Sequence, residues 1–166
     1  MNVPPDVPDP DRRGALRSVS GFLALGFGSG LSPAAPGTAG TLAAVPLAAL
    51  LVQLPPLLFW PVLAALFLIG VYVCGHTSRR LGRHDPGSIV WDEMVGYWLV
   101  VAFVPMHWAW WLAAFLLFRF FDIVKPWPIR WLDRRVGGGF GIMLDDVVAG
   151  VFATVVLLIA QRLVAL

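Results

Sequence analysis

Four apolar blocks follow a polar N-terminal segment, at residues 40–52, 57–74, 94–118 and 147–160. A helix crossing about 30 Å of hydrocarbon needs roughly 20 residues, within a range of about 17 to 25. Some of the blocks fall short of that. The third is long but carries Pro105, Met106 and His107 in its middle. It reads either as one kinked span or as two half-length helices folded into a hairpin. Between the first two blocks, the uncharged Gln53, Leu54, Pro55 and Pro56 form a turn that returns the chain to the side it left.

Composition points to lipid as the solvent. The chain is 58% hydrophobic with a mean hydropathy of +0.78, against about half apolar in soluble domains. No formally charged residue lies between Arg17 and Arg79, where a soluble surface would need charge. The cations sit in short groups beside apolar runs: Arg12, Arg13 and Arg17, then Arg79, Arg80 and Arg83, then Arg119, Lys125, Arg130, Arg134 and Arg135. The positive-inside rule places all three groups in the cytoplasm, and only a hairpin at Pro105 satisfies it. The prediction is an all-α polytopic membrane bundle with about five hydrophobic helices, some short or re-entrant. The last ends outward near Arg162. Residues 1–18, rich in Pro and Asp and then basic, lack the order of a signal peptide and read as a mobile cytoplasmic tail. Residues 19–166 form a single membrane-embedded domain. A net charge of +2 excludes a nucleic-acid binder, and the lone Cys74 excludes a disulfide framework or Cys-rich metal site and reads as a packed small hydrophobe.

Charge is scarce, so its placement is informative. Outside the tail the acids are Asp85, Asp92, Glu93, Asp122, Asp133, Asp145 and Asp146, and in the hairpin topology all face one side. Glu93 is the sole Glu and Lys125 the sole Lys. Asp92 and Glu93 open one apolar run, and Asp145 and Asp146 open another, each pair at an expected helix start. Acids there complement the helix dipole, which would explain one of them. Two adjacent like charges, twice, repel unless a cation neutralises them, which favours a metal or a cationic ligand. Gly96 and Gly150, four residues beyond Asp92 and Asp146, clear the helix face past each acid, or serve close helix packing. Asp122 is either functional or an ion-pair partner of Arg119, and Asp133, between Arg130 and Arg134, reads as a local ion-pair member. Hard oxygen donors without a Cys or His motif favour Mg²⁺ over zinc. His107 belongs at the outer turn; His84 reads as a surface or capping residue, with proton transfer the alternative.

The uncharged segment 26–41 mixes Gly, Pro and small hydroxyls ahead of an apolar helix. It can offer amides, Ser32 and Thr38 to a phosphate at the helix start, or be a plain turn capped by Thr38. No Gly-Lys-Ser/Thr follows, so it is not a P-loop. Lys125 and Arg130, in a Pro- and Trp-bearing segment, either bind phosphate or anchor the chain at the interface. The glycines at 137–139 and 141 read as flexibility or close approach ahead of Asp145.

Together GFGSGLSPAAPGTAGTLAA from Gly26, HDPGSIVWDEMVG from His84 and FRFFDIVKPWPIRWLDRRVGGGFGIMLDDVVAG from Phe118 resemble the phosphatidylglycerophosphatase A family, bacterial membrane phosphatases of phosphatidylglycerol synthesis. The resemblance covers nearly everything after the tail. It implies Mg²⁺-dependent removal of the terminal phosphate of phosphatidylglycerophosphate at the cytoplasmic face of the inner membrane. Phosphatidylglycerophosphate and the surrounding phospholipids are then the expected partners. On that reading Asp92, Glu93, Asp122, Asp145 and Asp146 hold one or two Mg²⁺ ions. Asp92, Glu93 and Asp122 would be catalytic, with Glu93, the longer arm, as general base. Ser32, Thr38, Lys125 and Arg130 orient phosphate, and an aspartyl-phosphate route stays open. The rivals are a phosphatidyl transferase of the CDP-alcohol type, whose Asp-Gly start is missing, a membrane cation transporter and a noncatalytic membrane subunit.

Overall fold

The computed structural model describes residues 12–83 and 85–164. Residues 1–11, the larger part of the expected tail, lie outside the described residues, as does His84 with the roles considered for it. Arg12–Ala15 already forms a helical turn, α1, with Ala15 buried.

Helix boundaries follow local chemistry. Ser18 caps α2 (Val19–Ala24) by accepting from the Gly21 amide at 3.2 Å. A 3-10 segment, Gly26–Leu31, follows, with Phe27 and Gly28 at φ of 58° and 98°. Helix α3 (Pro36–Leu51) begins on Pro36, whose missing N–H costs nothing in a first turn. The expected turn at residues 53–56 leads into α4 (Pro56–Leu81), which stops where Gly82 takes the left-handed conformation. Helix α5 (Trp91–Val101) ends before Pro105, and α6 (Trp108–Val124) starts after His107, whose ring nitrogen accepts from the Ala109 amide at 3.3 Å. Short α7 (Ile129–Arg135) leads into α8 (Gly138–Val164). Five of these, α3, α4, α5, α6 and α8, are the expected apolar helices, and the described residues contain no strand.

The third apolar block is a hairpin. Tyr97 of α5 stacks edge-on against Phe115 of α6, 6.3 Å between centroids, while Glu93, one turn earlier, reaches Arg119, one turn later. Helices α3, α5 and α8 run in one direction. Trp98 of α5 donates to the Ala44 carbonyl of α3 at 3.0 Å, and Gln161 of α8 donates to the Phe103 carbonyl just past α5 at 3.1 Å. Helix α4 runs against them, since Trp91 meets Leu66 and Trp60 meets Phe103. The starts of α3, α5 and α8 and the ends of α4 and α6 therefore share one end of the bundle.

Helix α5 is the axis. Of its eleven residues only Glu93 and Leu99 are partly exposed, and it touches α3, α4, α6 and α8. Glycines let α8 approach its neighbours. A Cβ at Gly150 would stand 2.9 Å from the Gly96 carbonyl, and one at Gly96 the same distance from the Asp146 carbonyl. Both glycines thus serve close packing at the α5–α8 crossing.

Helices α4 and α8, of 26 and 27 residues, are long and apolar enough to cross a membrane, roughly 40 Å at 1.5 Å per residue. Leu57, Leu68 and Tyr72 on α4, Leu112 and Leu116 on α6, and Ile159 and Leu163 on α8 all face outward. Apolar surface on that scale suits lipid and not water. This is a membrane protein, with α5, at about 16 Å, too short to span alone.

One expectation fails. Helix α8 starts at Gly138, so Asp145 and Asp146 lie two turns inside it and not at its start. Of the two readings of the glycine run, close approach holds and flexibility does not: from Gly138 onward it is helix, and Gly139 packs directly on the backbone of Val71 and Gly75 in α4. That contact offsets the poor helix propensity of glycine.

Candidate active site

Asp92 and Glu93 occupy the first turn of α5, where the dipole favours them. Asp145 and Asp146 have no such support, since the dipole effect fades within the first turn of a helix. All of Asp92, Asp145 and Asp146 are buried. Asp146 lies within electrostatic reach of Asp122, Asp92, Asp145 and Glu93, and Asp92 within reach of Glu93, Asp85 and Asp145. The fold has brought carboxylates from α5, α6 and α8 within electrostatic reach of one another.

Two cations hold its edges. Arg119 of α6 places Nη1 2.9 Å from Glu93 Oε1 and 2.6 Å from Asp122 Oδ2. Lys125, in the left-handed residue that ends α6, bridges Asp133 at 3.0 Å and Asp145. Burial alone would push the Lys125 ammonium down, but Asp145 and then Asp133 outweigh it and hold its pKa above the ordinary lysine value. It is a fixed positive charge. Asp133, expected to pair with its arginine neighbours, pairs with the half-buried Lys125 instead, because a partly desolvated ammonium draws a carboxylate more strongly than a solvated guanidinium does.

These two cations do not neutralise the cluster. One oxygen each of Asp92, Glu93, Asp145 and Asp146 is buried with no hydrogen-bond partner: Oδ1, Oε2, Oδ1 and Oδ1 respectively. Buried carboxylate oxygens without partners are costly. Among the described residues no three His, Cys, Asp or Glu side chains already converge as a metal group. The donor set nevertheless fits Mg²⁺, which is commonly bound through one or two carboxylates, waters and a substrate phosphate.

The uncharged loop frames this space. A Cβ at Gly37 would collide with Glu93 Oε1 and stand 2.8 Å from an Arg119 nitrogen, so the first turn of α3 rests directly on the Glu93–Arg119 pair. Thr38 lies in that turn, one residue on, and is not its cap; the N-cap position is Ala35. Ser32 spends its hydroxyl on the Ala34 carbonyl at 2.8 Å. Arg130 is exposed and donates to the Val124 carbonyl at 3.2 Å. Asp92, Glu93, Asp122 and Asp145 thus all lie within electrostatic reach of Asp146, Lys125 is bonded to Asp145, and Thr38 follows the Gly37 contact on α3.

A family model described as Phosphatidylglycerophosphatase A matches residues 22–161. The chain belongs to the phosphatidylglycerophosphatase A family. An Escherichia coli K12 protein of that name is 52% identical over 137 residues, covering 82% of this chain and 80% of its own. A Haemophilus influenzae protein of the same name is 48% identical over 155 residues, covering 92% and 95%. A Bacteroides thetaiotaomicron protein, provisionally named a phosphatidylinositol-3-phosphatase, is 42% identical over 148 residues, covering 84% and 92%. No solved structure matches the chain. All the carboxylates gathered here fall inside the matched family segment.

Sequence reasoning underrated two residues. Arg119 was weighed only as a local partner of Asp122, yet it also holds Glu93 across the hairpin. The signal was the hairpin itself, which sets residues 93 and 119 opposite each other. Asp85, in the loop before α5, is within electrostatic reach of Asp92, Glu93 and Asp145. Its position ahead of Asp92 pointed there.

Removing Arg119 should expose its importance. Breaking a buried ion pair by deleting one partner costs about 3–5 kcal/mol. Arg119→Gln is expected to destabilise the detergent-solubilised protein by that order, and Glu93→Gln added to it to recover part of the loss. Unfolding curves of the two variants check this; a double variant less stable than the single one contradicts the pairing.

Proposed function

We propose that this protein is a Mg²⁺-dependent phosphatidylglycerophosphatase: water attacks the terminal phosphomonoester of phosphatidylglycerophosphate, the bond from phosphorus to the glycerol oxygen breaks, and phosphatidylglycerol and inorganic phosphate leave. The observation that carries the reading is the set of buried, partnerless oxygens on Asp92, Glu93, Asp145 and Asp146. A closed packed core has no use for so much uncompensated negative charge; a site that receives a cation and a phosphate does. Family membership supplies the substrate, through the name carried by the two enterobacterial and pasteurellal relatives. The differently named Bacteroides relative shares the chemistry, a phosphomonoester on a lipid headgroup.

In this reading Asp92, Asp145 and Asp146 hold Mg²⁺, with Glu93 and Asp122 beside them. The ion, when bound, neutralises charge developing on the phosphoryl oxygens and lowers the pKa of water. The chain's own groups supply position. Arg119 fixes one oxygen of Glu93 and leaves the other, Oε2, buried and without a partner, free to take a proton from the attacking water. Asp122, on the same guanidinium, keeps Arg119 aligned. The first turn of α3, with the Gly37 and Thr38 amides and the Thr38 hydroxyl, can receive phosphoryl oxygens. Lys125 holds Asp145 in place. Because the cluster lies at one end of the bundle, the lipid tails can stay in the membrane while the headgroup enters from the side.

Conversion of Asp92 or Asp146 to Asn keeps size and removes the charge a hard cation needs. Each variant should insert and purify normally yet lose several orders of magnitude in turnover, equivalent to roughly 3–5 kcal/mol of transition-state stabilisation. Phosphate release from purified protein on phosphatidylglycerophosphate, with and without Mg²⁺, is the assay. Near-normal rates in both variants, or full turnover in excess chelator, would remove the mechanism.

We also place this end of the bundle in the cytoplasm, with the protein multi-pass in the inner membrane, because Arg79, Arg80, Arg130, Arg134 and Arg135 crowd there. Single cysteines at Arg80→Cys and Arg134→Cys, both exposed positions, should be labelled from the cytoplasmic side of oriented vesicles. Labelling of the two from opposite sides would contradict the topology.

A further inference from the structure

The elbow between α6 and α7 forms a groove of about 560 Å³, bordered by Val124, Lys125, Trp127, Arg130, Trp131, Arg134 and Arg135, which adjoins the carboxylate cluster through Lys125 and has no carboxylate in its lining. Its charge is one-sided for a structural reason. The single acid of α7, Asp133, turns inward to Lys125. Ile129 is buried as well, so the inner face of α7 is spent on packing and that ion pair. Arg130 and Arg134, four residues apart on one helix face, are left outside. Neither has a carboxylate partner among the described residues, and Arg130 is steadied by its bond to the Val124 carbonyl. Arg135 lies over the Trp131 ring at 5.5 Å, a contact that keeps a guanidinium poised while its remaining donors stay free. Trp127 is 81% exposed and Trp131 48%, and exposed indoles beside an apolar helix end stand at the height of lipid headgroups.

We propose that this groove binds the phosphodiester headgroup of an anionic diacylglycerophospholipid from the surrounding leaflet, beside the carboxylate cluster, with which it shares Lys125 but no acid. Charge complementarity identifies the occupant. Guanidinium groups without acids take a phosphate oxygen pair by forked hydrogen bonds, and basic pockets beside membrane helices favour acidic over zwitterionic headgroups. The flanking tryptophans and Val124 offer apolar surface to the glycerol and upper acyl chains. This inference does not rest on the phosphatase reading, because it concerns binding of a lipid that is not hydrolysed.

Native mass spectrometry of the full chain in detergent tests it, with dioleoyl phosphatidylglycerol, dioleoyl phosphatidylcholine and inorganic phosphate as separate probes. Phosphatidylglycerol should be retained at least about tenfold more tightly than phosphatidylcholine, and Arg130→Gln with Arg134→Gln should remove most of that preference. Arg134→Gln alone, an exposed position where folding is not at stake, should remove part of it. Equal retention of the two lipids, unchanged preference in the variants, or displacement of phosphatidylglycerol by equimolar inorganic phosphate would overturn the proposal.

Discussion

The arrangement of this protein turns on uncompensated negative charge at the contact between α5 and α8. Asp92, Asp145 and Asp146 are buried where each carries an oxygen with no partner. A desolvated carboxylate is tolerable only when a cation or hydrogen bonds replace the lost water. Arg119 and Lys125 hold the rim of the cluster but leave its centre negative. Everything else about this end of the bundle follows from keeping those charges close and leaving room for what neutralises them.

The scaffold meets that demand by close backbone approach. Gly96 and Gly150 bring α5 and α8 together just beyond the acids, and Gly75 and Gly139 do the same for α4 and α8. Indole N–H groups of Trp91 and Trp98 donate to carbonyls of α4 and α3, tying the central helix to both flanks without leaving buried donors unmet. The α5–α6 hairpin then carries Arg119 back to Glu93. A single continuous span over residues 94–118 would put these two groups at opposite ends of a helix, so re-entry is what assembles the site.

Much of this was legible in the chain. Prolines at 55, 56 and 105, and the scarcity of charge, located the helices and the hairpin, since lipid tolerates no unmarked break in a spanning segment. The carboxylates were found because a chain with one Glu and one Lys places charge sparingly. What escaped was long-range. The start of α8 was misplaced because glycine reads locally as a breaker, whereas here it is the residue that fits against the α4 backbone. Asp133 was assigned to its sequence neighbours because nothing local reveals that Lys125 turns inward. Ser32 and Thr38 looked equivalent in sequence; the fold turns the Ser32 hydroxyl onto the Ala34 carbonyl and sets Gly37, the residue before Thr38, against Glu93 and Arg119.

The central claim is that the buried carboxylates form a cation site, and binding tests it apart from turnover. Mn²⁺ occupies oxygen sites suited to Mg²⁺ and gives an electron paramagnetic resonance signal that is lost on binding. Titrated into the detergent-purified protein with inorganic phosphate present, Mn²⁺ should bind saturably, be displaced by Mg²⁺, and fail to bind tightly when Asp146 is changed to Asn. Absence of saturable binding, or binding undiminished in the Asp146→Asn variant, would contradict the account.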